Sequence, residues 1–65
     1  MTAKELLRKL RARGATVDPS HGKGSHVAVM LNGRITYVPV HGRRELPAGT
    51  LRAILRQLGI NPRDL

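Results

Sequence analysis

The stretch Ser25-His26-Val27-Ala28-Val29-Met30-Leu31-Asn32-Gly33-Arg34-Ile35-Thr36-Tyr37-Val38-Pro39-Val40 decides the fold. Two apolar runs rich in β-branched residues flank Asn32-Gly33, a dipeptide suited to a type I′ turn, which needs positive φ at both central residues. A two-residue loop of that kind sets the register by counting outward. Leu31 falls opposite Arg34, Met30 opposite Ile35, Ala28 opposite Tyr37 and His26 opposite Pro39. Paired residues point to the same side of a sheet. One face therefore carries His26, Ala28, Met30, Ile35, Tyr37 and Pro39, and the other Val27, Val29, Leu31, Thr36, Val38 and Val40. The second set is the more uniformly aliphatic, so it is expected to meet the helices. A slip of one residue would exchange the faces.

On the N-terminal side, Thr2-Ala3-Lys4-Glu5 reads as a capping box, with the Thr2 hydroxyl on the Glu5 N–H and the Glu5 carboxylate reaching back. Ala3, Leu6, Leu7 and Leu10 follow at helical spacing, and Gly14 can take the left-handed conformation that ends the helix. Ala15 to Asp18 reads as a short strand stopped by Pro19, and Ser20-His21-Gly22-Lys23-Gly24 as a turn region. Beyond the hairpin, Pro47 suits the first turn of a second helix. Leu51, Ile54, Leu55 and Leu58 form its apolar stripe, Arg52 and Arg56 lie outward, and Gly59 ends it. The tail from Asn61 to Leu65 adds a final turn or frays.

The predicted architecture is thus α+β, in the order α-β-β-β-α. A three-stranded antiparallel sheet has two helices on one face and its other face open, the element order of a double-stranded-RNA-binding domain.

The 65 residues make one domain with one modest core. A chain of this size buries only roughly 60% of the surface it exposes when unfolded. With no cysteine there is neither a disulfide framework nor a thiolate metal site. Lys and Arg number 12 against 4 Asp and Glu, a formal net charge of +8. That excess favours a polyanionic partner, either nucleic acid or an acidic protein. No segment has the length or apolar density of a membrane span or a signal peptide, which points to the cytoplasm and away from a membrane partner.

Histidine chemistry fits RNA cleavage. A base must take the 2′-hydroxyl proton, an acid must protonate the departing 5′-oxygen, and cations must steady the charged phosphorane. Imidazole titrates near neutrality and suits the first two roles. His26 lies on the open face with Tyr37 as a diagonal neighbour. His41 continues the series Tyr37, Pro39, His41 on that face if the strand runs so far. Lys23, Ser25, Arg43 and Arg44 flank these histidines and are candidates to hold phosphate. The helix start near Ala48-Gly49-Thr50 is a further candidate phosphate site, because free N–H groups and the helix dipole favour an anion and Gly49 allows close approach. Cleavage by 2′-hydroxyl attack leaves a 2′,3′-cyclic phosphate. His21 and His26 do not by themselves make a metal site, since no cysteine is present and the acidic residues are scattered. Gly22-Lys23-Gly24-Ser25 lacks the spacing and following helix of a P-loop, so nucleotide hydrolysis is a poor reading. No cofactor is expected.

Gly24-Ser25-His26, the hairpin, Val38-Pro39-Val40-His41, Glu45-Leu46, Gly49-Thr50-Leu51 and the ending Ile54-Leu55-Arg56-Gln57-Leu58-Gly59-Ile60 together resemble the HicA toxin family. The resemblance covers nearly the whole chain. It implies a bacterial or archaeal mRNA interferase with a fold like the double-stranded-RNA-binding domain. It also implies a HicB-type antitoxin that binds the toxin and covers its active site, here the His26 face. In that family the histidine of the Gly-Ser-His motif is catalytic, which implies His26. His41 matches the family's Pro-x-His segment without inheriting a role from it. Two further readings keep the fold: a non-catalytic RNA-binding module, and a toxin that has lost its activity and retains only antitoxin binding.

Overall fold

A computed structural model of the chain describes residues 1–19 and 25–65. The elements are α1 (Ala3–Ala12), β1 (Thr16–Asp18), β2 (His26–Leu31), β3 (Arg34–Pro39) and α2 (Ala48–Leu58), followed by a 3₁₀ turn over Pro62–Asp64. The strands form one antiparallel sheet in the order β1-β2-β3, so β2 is central. The α-β-β-β-α order and the α+β class are those read from the sequence.

The hairpin has the expected register throughout, from Leu31 opposite Arg34 to His26 opposite Pro39. Asn32 and Gly33 hold φ of 51° and 78°, the positive pair a type I′ turn requires. Each strand begins or ends one residue inside its predicted limits. The ladder nevertheless carries one step further, because the Val40 N–H donates to the Ser25 carbonyl at 2.8 Å. That bond makes Val40 and Ser25 a hydrogen-bonded pair. By alternation His26–Pro39, Ala28–Tyr37 and Met30–Ile35 are non-hydrogen-bonded pairs. Pro39 lacks an N–H, and at such a position on an edge strand β2 loses no bond by it.

Both helices cover the aliphatic face. Ala3, Leu6, Leu7 and Leu10 of α1 and Ile54, Leu55 and Leu58 of α2 share a core with Val29, Leu31 and Val38. Val17, Val27, Val40 and Leu51 pack around it, half-buried. Thr36 is the polar residue on this face and is buried. Its hydroxyl donates to the Gln57 side chain of α2, which satisfies it.

The helix ends follow from local chemistry. The Glu5 N–H donates to Thr2 Oγ1 at 3.2 Å, and the Thr2 N–H donates to Glu5 Oε1 at 3.2 Å, completing the capping box. At the other end Gly14, at φ 97°, donates to the Arg11 carbonyl while the Ala15 N–H reaches the Leu10 carbonyl, a Schellman closure. Gly59 and Ile60 repeat that pattern on Arg56 and Leu55 at the end of α2. The start of α2 differs from expectation. Pro47 is the residue before the helix, at ψ 143°, and the first turn begins at Ala48. Its extended ψ places it outside the helix, while its carbonyl still accepts from the Leu51 N–H at 3.0 Å.

The Thr2 hydrogen bonds, backbone first and hydroxyl second, hold the Glu5 carboxyl below its ordinary value of 4.5. A group lowered on folding stabilises the fold above that ordinary value and loses the contribution as pH falls through the lowered one. Glu5→Gln should therefore flatten the decline of thermal stability below about pH 4.5, read from melting curves between pH 2 and 7. Thr2→Ala should cost about 1 kcal/mol in urea unfolding. Gly33→Val, forced into a left-handed conformation, should cost about 1–2 kcal/mol.

Candidate functional site

The site is built on the sheet face that no helix covers. β2 is flanked on both sides, so its open-face residues have neighbours in two directions. Ala28 lies between Asp18 of β1 and Tyr37 of β3 and is fully covered despite facing outward. His26 is two residues along the same strand, exposed, and opposite Pro39. Non-hydrogen-bonded partners bring their Cα atoms to about 4.5 Å with side chains close, and diagonal neighbours lie roughly 7–8 Å apart. Tyr37 and Asp18 are both diagonal neighbours of His26 by this register. Beyond them the face continues through Met30 and Ile35, both exposed.

Asp18 was legible in the sequence only as the last residue of a short strand. Three residues give too short an alternation to assign faces, and the β1–β2 register is what brings its carboxylate onto the His26 face.

The predicted extension to His41 does not occur. β3 ends at Pro39, and His41 opens a turn closed by the Arg44 N–H on the His41 carbonyl at 3.2 Å, with Gly42 at φ 60°. The diagonal sheet geometry expected between His26 and His41 is therefore absent. The reason is local: a turn with Gly42 and Arg43 at its centre begins at His41. His41, Arg43 and Arg44 are all exposed on this turn, which leaves the ladder at the His26 end of the sheet.

The segment after that turn is anchored. Thr2 and Glu45 form an isolated antiparallel bridge, and the Leu46 N–H donates to the Met1 carbonyl at 2.9 Å. α2 then runs back along β3. Its C-terminal end lies against the start of that strand, where Gln57 meets Thr36 and a Cβ on Gly59 would sit 3.2 Å from the Arg34 guanidinium carbon. The N-terminus of α2, with Gly49 and Thr50 in its first turn, belongs to the helix layer on the aliphatic face, opposite the face that carries His26. No side chain caps it, and its first turn holds no acidic residue. Ser25 is exposed next to His26. Lys23, with His21, Gly22 and Gly24, lies outside the described residues.

The arrangement thus places an exposed imidazole and two exposed arginines at one end of the sheet, beside an open face bearing one tyrosine. An imidazole so placed can exchange protons with a bound strand, and the cations can hold its phosphates. Among the described residues no helix is long and apolar enough to cross a membrane.

The chain is 43% identical over 60 residues to a probable mRNA interferase HicA of Pseudomonas fluorescens (strain Pf0-1), covering 92% of this chain and 97% of that protein. It is 37% identical over 60 residues to a probable mRNA interferase HicA 2 of Photorhabdus laumondii subsp. laumondii, covering 92% of this chain and 98% of the relative. No solved structure matches it significantly. The family described as HicA toxin of bacterial toxin–antitoxin matches residues 3–60, from the first residue of α1 to the one that follows Gly59, and the chain belongs to that family.

Proposed function

We propose that this protein is an mRNA interferase, a metal-independent endoribonuclease, and that His26 is its general acid or base. The observation that carries the reading is the position of His26, exposed on the uncovered sheet face at the end that also holds Arg43 and Arg44. The names of its relatives support the activity. In the reaction the 2′-oxygen loses its proton and attacks the adjacent phosphorus. The bond to the 5′-oxygen breaks, and that oxygen takes up a proton. The products are a 2′,3′-cyclic phosphate and a 5′-hydroxyl. His26 handles one of these protons, and His41, on the neighbouring turn, is the candidate for the other. Arg43, Arg44, Ser25 and the start of α2 at Gly49 and Thr50 hold phosphates, together with Lys23 of the preceding segment.

The same face suits an antitoxin. A net charge of +8 draws an acidic partner quickly, and the exposed Met30, Ile35 and Tyr37 offer it apolar area. A HicB-type antitoxin seated there covers His26 and silences the enzyme, which works in the cytoplasm where mRNA is found. The element order and charge also fit a non-catalytic RNA-binding module, which binds RNA in a salt-sensitive way and cuts nothing.

Cleavage of an end-labelled RNA in EDTA separates these readings. Wild-type protein should cut and leave cyclic phosphate ends, and His26→Ala should lose at least about 10²-fold in rate, the lower bound for a positioned acid or base. Equal cutting by both proteins overturns the assignment of His26, and binding without cutting by either selects the RNA-binding module. Replacing Arg43 and Arg44 by glutamine should flatten the dependence of log affinity on log salt by about 1.4 for single-stranded RNA, the slope for two lost phosphate contacts.

A further inference from the structure

Tyr37 has no role in the core. It is the only aromatic residue of the chain, and the buried apolar core among the described residues consists of Leu, Ile, Val and Ala. Burying an aromatic ring is among the larger single contributions open to a small domain. Yet Tyr37 is 49% exposed, while Ala28 directly opposite is 0% exposed. The pairing explains how both hold. The side chains of a non-hydrogen-bonded pair lie close together, so a large residue opposite a small one can cover it and still be half exposed. Tyr37 is also a diagonal neighbour of His26, about 7–8 Å away between Cα atoms. That separation is of the order that divides a nucleobase from its own phosphate.

We infer that Tyr37 is the stacking platform for one unpaired nucleobase of the RNA strand cut at His26, and so a substrate-positioning residue. The inference rests on the endoribonuclease reading and names the form of its substrate. An apolar protein segment would find enough in Met30 and Ile35. A flat ring beside an imidazole, on a chain of net charge +8, is matched instead by a ligand that is flat, apolar on its faces and anionic along its backbone. A base can stack on Tyr37 only when it is out of a duplex, so the substrate is single-stranded at the cut. The ring does not read hydrogen-bonding edges. The preference it confers follows stacking strength, purines before pyrimidines, rather than a strict sequence.

The test combines protein and RNA substitutions. Affinity for a short single-stranded RNA is measured by anisotropy with His26→Ala protein, alone and carrying Tyr37→Leu or Tyr37→Phe. KM and kcat are measured on the same RNA with His26 present. Tyr37→Leu should weaken binding about 5- to 150-fold, the range for one base stack, with the loss falling on KM, and Tyr37→Phe should restore it. Removing a single base beside the cut should cost wild-type protein a similar factor and cost Tyr37→Leu almost nothing more. Unchanged affinity in Tyr37→Leu overturns the inference, as do losses that add at every abasic position. Loss of antitoxin binding with RNA affinity intact also overturns it and assigns the ring to the protein partner. His26-dependent cleavage persisting beside any of these leaves the enzyme reading standing. Absence of cleavage by wild-type protein removes that reading, while the binding measurements still decide the role of Tyr37. Melting curves of each variant identify any loss due to unfolding.

Discussion

Asn32 and Gly33 hold a two-residue turn in which both backbones sit at positive φ, and the register of the hairpin depends on that pair. With a side-chain period of two, the register decides which side chains meet the helices and which meet solvent. Had the loop one residue more, the aliphatic set from Val27 to Val40 and the set containing His26 would exchange places. The core and the candidate site are opposite sides of the same six-residue strands. The turn is the constraint that keeps them apart, and the rest of the fold accommodates to it. α1 brings an apolar stripe to the aliphatic face, and α2 brings another together with Gln57, which meets the one buried hydroxyl there.

The two helices cover the aliphatic face, and on the other face His26, Met30, Ile35 and Tyr37 are exposed. Ala28 is the instructive exception. It faces outward on the central strand and is nonetheless sealed, because its neighbours on β1 and β3 close over a small side chain. Met30 and Ile35 stay exposed.

Features set by neighbouring residues were legible in the sequence: the capping box at Thr2 and Glu5, the glycine endings of both helices, and the hairpin register. Features set by residues distant in sequence were not. The face occupied by Asp18 depends on how a three-residue strand meets β2, which no local pattern encodes. The packing of Arg34 against Gly59 and the bond from Thr36 to Gln57 join segments far apart in the chain. His41 failed for a different reason. The run Val38-Pro39-Val40 is strand-like in composition, and the glycine that ends it comes only after the histidine. Pro47 was misplaced by one residue because its fixed φ suits both a cap and a first turn, and only its ψ separates them.

Charge and exposure then distinguish the two ends of the open face. At the end where His26 begins β2, the neighbouring turn carries the exposed cations Arg43 and Arg44. At the other end Met30 and Ile35 sit beside the Asn32-Gly33 turn and present apolar surface. Positive charge of that kind favours anions at the first end, where the His26 side chain is exposed. A protein inhibitor can engage both ends at once, taking apolar area from one and charge from the other. On the proposed reading a partner that uses the whole face competes with a ligand that uses half of it, and among the described residues the helices pack on the opposite face.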